Sequence, residues 1–154
     1  MSPPDSSDLV SFLSFLDEGL GFSFDKSAFS DRLKLQKYVF LAKFFGWDLG
    51  YKHSRYLRGP YSKELADHYY KLEGTGFSKK PQGFDEGALL GLVYSKDERW
   101  LELASTLLSF HEDLKAYSAD LRSDVIRMTS SVKKTSPSEL EAILTQLEEA
   151  GISF

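Results

Sequence analysis

Apolar residues recur every three or four positions through most of the chain, which is the period of an amphipathic helix rather than of a strand. In SSDLVSFLSFLDEGL, Leu9, Phe12, Leu13, Leu16 and Leu20 make one face, with Ser6 or Ser7 placed to cap it and Gly19 and Gly21 placed to end it. A second helix is predicted from near Ser27 or Ser30 to Phe45, with Gly46 as its stop. Its apolar residues, Phe29, Leu33, Val39, Phe40, Leu41, Phe44 and Phe45, spread well beyond a narrow stripe, so it should be the most buried helix. From about Lys63 to Leu72 a shorter helix presents Leu65, Tyr69 and Leu72, and ALLGLVY (88–94) fits a brief one. Ser95 and Glu98 have the spacing of a capping box, ahead of a helix carrying Trp100, Leu101, Ala104, Leu107, Leu108, His111 and Leu114. Leu121, Val125, Met128 and Val132 mark a further helix. Ser136, Pro137 and Glu139 join a second capping box to a proline at the first helical position, followed by Leu140, Ile143, Leu144 and Leu147 and a terminating Gly151.

The helical period lapses between Gly46 and Ser62, where Tyr51, Tyr56 and Leu57 favour a strand or extended arm over 51–58. GTGFSKKPQGF (74–84) reads as a loop. The expected fold is mainly α: a compact single-domain bundle of six or seven helices, with at most a small β-hairpin or extended arm near 47–60. One α-helical domain should span 1–154, with 1–7 a flexible tail; the 154 residues suit one domain with a substantial core.

Composition narrows the picture. Hydrophobic residues make up 42% of the chain and aromatic residues 14%, more than a disordered chain carries. No stretch approaches the roughly 20 apolar residues of a membrane span, so no membrane association is expected. MSPPDSSD has neither the basic start nor the apolar centre of a secretory signal, and there is no Cys, so a reducing cytoplasm is the expected location. The formal net charge of -4 is unevenly spread: residues 1–25 carry -5, residues 26–80 carry +7 and residues 81–154 carry -6. That basic middle either meets an anionic partner or packs against its acidic flanks.

Few chemistries are equipped. His53, His68 and His111 show no metal-binding spacing, and the glycines of GLG (19–21) and GTG (74–76) lack a phosphate loop's pattern. The serines sit at helix starts, and Glu112-Asp113 and Glu148-Glu149 are adjacent on exposed faces rather than opposed across a site. No catalytic residue, metal or cofactor is expected, and the chain reads as a binding module rather than an enzyme.

One stretch concentrates the remaining interest. In RYLRGPYSKEL (55–65), Gly59 and Pro60 suit a sharp turn and Ser62 a helix cap. Arg55, Arg58, Tyr61 and Lys63 are left over as candidate binding residues. Arginines ahead of a helix N-terminus suit a phosphate or a partner's carboxylate, or an internal salt bridge to the acidic C-terminal half.

The segment RLKLQKYVFLAKFFGWDLGYKHSRYLRGPYSKELADHYYKL (32–72) resembles the YwgA-like family of uncharacterised prokaryotic proteins, and is more distantly similar to the Panacea (SocA-like) antitoxin domain. Leu35, Gln36, Lys37, Gly59, Pro60, Tyr61 and Ser62 carry the shared motif. The resemblance implies a helical fold and a protein partner rather than catalysis. Gln36, polar inside the most apolar helix, should need a hydrogen-bond partner such as the turn backbone. The leading expectation is therefore a cytoplasmic, antitoxin-like or regulatory protein-binding module acting through the face around Arg55 to Tyr61. A winged-helix DNA-binding regulator, from the cadence of SPSELEAILTQLEEAGI, and a binder or enzyme of a phosphorylated ligand using His53, Arg55 and Arg58 are the alternatives. Against DNA stand Glu139, Glu141, Glu148 and Glu149 on that last helix.

Overall fold

The computed structural model describes residues 4–72 and 80–154. Among the described residues are seven α-helices and one two-stranded hairpin: α1 (Ser6–Leu20), α2 (Phe29–Ala42), β1 (Ser54–Tyr56), β2 (Gly59–Tyr61), α3 (Lys63–Tyr70), α4 (Glu86–Val93), α5 (Glu98–Leu114), α6 (Leu121–Val132) and α7 (Pro137–Glu149). The mainly α expectation holds. None of these helices is long and apolar enough to cross a membrane.

The central element is α5, which packs on α2, α6, α7 and β2. Its buried residues include Leu101, Leu103, Ala104, Ser105, Thr106, Leu107, Leu108 and Phe110, far more than one stripe, because neighbours lie on several sides. The helix α2 is the other deeply buried element, with Leu35 to Ala42 continuously buried as its wide apolar set requires. A 3-10 turn over Lys43–Phe45 and Gly46, at φ 104°, end it; a Cβ on Gly46 would stand 2.8 Å from the Gly83 carbonyl.

Several local expectations are corrected. The cap of α1 is Asp5, whose carboxylate accepts from the Ser7 N–H, so Ser6 and Ser7 belong to the helix and not to a tail. Gly19 does not end α1: a Cβ there would lie 2.6 Å from Leu90, so its role is close packing against α4, and Gly21 at φ 68° is the stop. Ser95 does not cap α5. It sits at φ 61°, and Asp97 takes the Trp100 N–H instead. Both Ser95 and Asp97 are good caps by type; the turn out of α4 uses the first and leaves the second at the helix start. Ser136 does cap α7, accepting from the Glu139 N–H. Phe29 and Val132, assigned to apolar core faces, are exposed. The loop expected over 74–84 lies outside the described residues up to position 79.

The largest correction falls on Gly59-Pro60-Tyr61, expected as a turn. It is a strand, β2, paired antiparallel with β1 so that Ser54 faces Tyr61, Arg55 faces Pro60 and Tyr56 faces Gly59. The turn is one step earlier, at Leu57-Arg58. Pro60 is compatible with a strand only where its missing N–H is not needed, which a two-stranded ribbon allows.

Candidate functional site

The hairpin is held from beneath by two consecutive polar residues of α2. Gln36 donates from Nε2 to the Ser62 carbonyl and accepts the Ser62 N–H at Oε1, both at 2.9 Å, so one buried amide satisfies both backbone groups of a buried residue. This is the turn-backbone partner its sequence position demanded. Lys37, beside it, is 1% exposed and donates from Nζ to the Pro60 carbonyl at 2.7 Å. Burial presses its pKa down to about 7, against the attraction of Glu102 and with the help of Lys133 and Arg58. Ser62 then caps α3 through its hydroxyl, which accepts the Leu65 N–H.

From above, α5 and α6 hold the same hairpin by charge. Glu102 is the hub: it accepts from Arg58 Nε at 2.7 Å and from Lys133 Nζ at 3.1 Å. Its burial opposes ionisation, but hydrogen bonds from Lys133 and Arg58 outweigh that and keep its pKa below the ordinary value. Lys133 also donates to the Leu57 carbonyl at 2.7 Å, fixing the hairpin tip to the end of α6. Gly59 passes through this cluster at φ 90°, where a Cβ would lie 3.0 Å from Thr106 Oγ1 and 3.3 Å from Lys37 Nζ. Only glycine combines that backbone angle with that clearance.

The four candidate binding residues separate. Arg55 turns to α5, pairing with Asp113, donating to Ser109 Oγ at 2.8 Å and lying over the Phe110 ring at 4.1 Å. Arg58 pairs with Glu102 and, at 3.9 Å, Glu98. Both arginines thus take internal acids of the C-terminal half, with about a third of the Arg55 side chain and half of the Arg58 side chain left exposed. Arg58, Tyr61 and Lys63 line one groove of about 560 Å³ on the α2 and α3 side of the hairpin, whereas Arg55 lines a smaller hollow of about 270 Å³ on the α5 and α6 side. The groove is walled mainly by Phe29, Leu33, Tyr56, Tyr61, Tyr69 and Tyr70, with Gln36 and Lys37 also among its lining. Among the described residues its basic side chains are Arg32, Lys37, Arg58 and Lys63, and no carboxylate lines it.

Sequence reasoning missed Lys37, Glu102 and Lys133 as a cluster. The signal for Lys37 was present, since Gln36-Lys37 is a polar pair between Leu35 and the apolar run from Tyr38 to Ala42. Glu102 and Lys133 had none, because their partners lie 31 to 76 residues away in the chain.

The histidines stay apart. His53 stacks edge-on against Phe40 at 5.3 Å, and neither buried ring nitrogen has a hydrogen-bond partner among the described residues. Burial, with Lys43 and Lys37 nearby, pushes its pKa down to about 3; backbone groups of Tyr51 and Gln36 offset part of this without reaching hydrogen-bond geometry. His68 Nδ1 meets the Tyr51 hydroxyl at 2.7 Å, and His111 packs on Phe154. The acids of α7 are engaged as well: Glu139 pairs with Arg99, and Glu141 and Glu148 with Arg122. Comparison of the chain with family models, curated proteins and solved structures finds no match.

Proposed function

We propose that this chain is a protein-binding, regulatory module of the antitoxin-like kind, and that its partner docks on the tip and flanks of the hairpin. One observation carries the reading. Of the seven large hydrophobic side chains exposed among the described residues, five gather here: Phe29, Tyr56, Leu57 and Tyr70 on the groove, and Val132 on the hollow across the tip. Leu57, at the tip, is 89% exposed. A lone exposed apolar residue means little, but a cluster rimmed by charge is the mark of an interaction surface. The backbone beneath it is already fixed by Gln36, Lys37 and Lys133, so binding there orders little that is not ordered in the free protein. The resemblance of residues 32–72 to YwgA-like and Panacea domains points the same way.

A buried lysine with a pKa near 7 beside a cleft would also suit chemistry. Here its amine is engaged by Pro60, and among the described residues no histidine or carboxylate lines the groove to act with it, which favours a structural role.

Incorporating a photo-reactive benzoylphenylalanine at position 57, and separately at the equally exposed but distant Tyr117, tests the reading in cells that make the protein. A discrete protein cross-link from position 57 and none from 117 is expected, and Leu57→Asp should weaken binding of that purified partner at least about thirtyfold. No cross-link from 57, or the same products from both positions, would overturn it.

A further inference from the structure

Resting on that reading, we infer that the groove on the α2 and α3 side of the hairpin receives a carboxylate-rich segment of the partner carrying one aromatic side chain as its anchor. The walls supply the anchor site. Phe29 and Tyr70 are about half exposed, Tyr56 stands edge-on to Tyr61 at 5.5 Å and Tyr70 tilts on Tyr69 at 5.0 Å, leaving ring edges and faces open to a further ring. A cleft of this volume takes one aromatic side chain with its neighbouring residues.

The charges supply the flanks. Among the described residues Arg32, Arg58, Lys63 and the buried Lys37 line the groove and no carboxylate does, although acids outnumber bases in the whole chain. Among the described residues Arg32 and Lys63 make no ion pair. Arg32 donates to the Lys26 carbonyl and lies 5.8 Å from the centre of the Phe29 ring, and Lys63 stands at the first position of α3, where the helix dipole adds to its charge. Arg58 is held in place by Glu102, with Glu98 at 3.9 Å, and keeps half its side chain exposed to a further carboxylate. A segment with acids on both sides of an aromatic residue would meet Arg32 and Lys63 on its flanks and ring edges between them.

The same cations and rings could in principle serve a nucleic acid, but the basic track is short. Past Arg58 the next hollow is lined by Asp97, Glu98 and Glu102 as well as by Lys34 and Arg99, so the positive charge of the groove is not continued there as a phosphate backbone would need. A short acidic peptide ends before reaching them.

The test uses the full chain, labelled with nitrogen-15, and a capped peptide Asp-Glu-Phe-Asp-Glu followed by amide shifts. Saturable shifts confined to the start of α2, the hairpin and α3 are expected, with a dissociation constant of about 1 mM or tighter. Replacing the peptide's Phe with Ala, or raising salt from about 50 to 500 mM, should weaken binding about tenfold. Lys63→Glu should do likewise; it places an acid in the first turn of α3, where it favours the helix, so the fold survives. The inference fails if the peptide produces no shifts at about 2 mM, if the Ala peptide or a Lys-Lys-Phe-Lys-Lys peptide binds equally, or if a short oligothymidylate shifts these residues and the acidic peptide does not. A discrete partner captured from position 57 whose docking segment carries no acids would sink this inference alone. Absence of any such partner would sink the proposed function beneath it.

Discussion

Replacing Lys37 with Met should remove a specific pH dependence from the stability of this protein. An ordinary lysine loses its proton near pH 10.4, whereas burial lowers the value for Lys37 to about 7. Between those values the unfolded chain holds the proton more tightly than the folded one, so stability rises with pH across that window and falls as pH drops through 7. For one group with these two values, linkage gives a gain of about 2.5 kcal/mol between pH 6 and 9. The residue is 1% exposed, so solvent screening takes little from that figure. Burial also raises the tyrosines at 51 and 69, Tyr69 to about 12, and neither titrates in this range. Urea unfolding followed by the fluorescence of Trp47 and Trp100 at several pH values reads the effect. The wild-type chain should show the rise and Lys37→Met should lack it, whatever the variant's absolute stability after the Pro60 carbonyl loses its donor. Parallel profiles for the two proteins from pH 6 to 9 would refute the placement of a titrating amine beneath the hairpin.

Three further outcomes follow from the same geometry. Glu102→Gln removes the carboxylate shared by Arg58 and Lys133 and leaves those two cations without their common partner, so a loss of about 2–3 kcal/mol is expected in urea unfolding, and a loss below about 0.5 kcal/mol would show that the hub does not hold the hairpin. Gly59→Ala puts a Cβ at φ 90° against Thr106 and Lys37 and should cost about 1–3 kcal/mol by thermal melting; an unchanged melting temperature would contradict the backbone described for β2. His53, neutral when folded down to about pH 3 and protonated when unfolded below about pH 6.5, should lower stability by about 2 kcal/mol between pH 7 and 5, and His53→Phe, which keeps the contact with Phe40, should flatten that slope in acid-titrated urea midpoints.

The helices were legible because their signals are local. Leu140, Ile143, Leu144 and Leu147 behind Ser136 and Pro137 specify a helix, its cap and its buried face within a dozen residues, and the structure places them so. Gln36 was legible too, since a buried amide must be satisfied and the nearest unpaired backbone belonged to the segment before α3. Where two local signals competed, as at Ser95 and Asp97, sequence could not choose, because either residue caps a helix and only the path of the chain out of α4 decides.

The site itself came from contacts that no local pattern carries. Periodicity places Phe29 and Val132 on an apolar face but says nothing of whether that face meets the core or solvent, and both turn outward. Glycine and proline in Gly59-Pro60 announce a break in regular structure equally well for a turn or a short strand; β2 forms because Gln36, Lys37 and Lys133 capture carbonyls along the hairpin from two different helices. Arg55 and Arg58 could have faced solvent on sequence grounds. Passage of α5 beside the hairpin brings Asp113 and Glu102 within reach of them, leaving Arg32 and Lys63, with Lys37 buried on the Pro60 carbonyl, as the groove's basic side chains without an ion pair among the described residues. Sequence by itself determined where the helices lie and that Gln36 must be paired, since those follow from neighbours within a turn or two; tertiary structure alone decided which charges neutralise each other and which apolar rings are left to meet a partner, since those depend on residues brought together from distant parts of the chain.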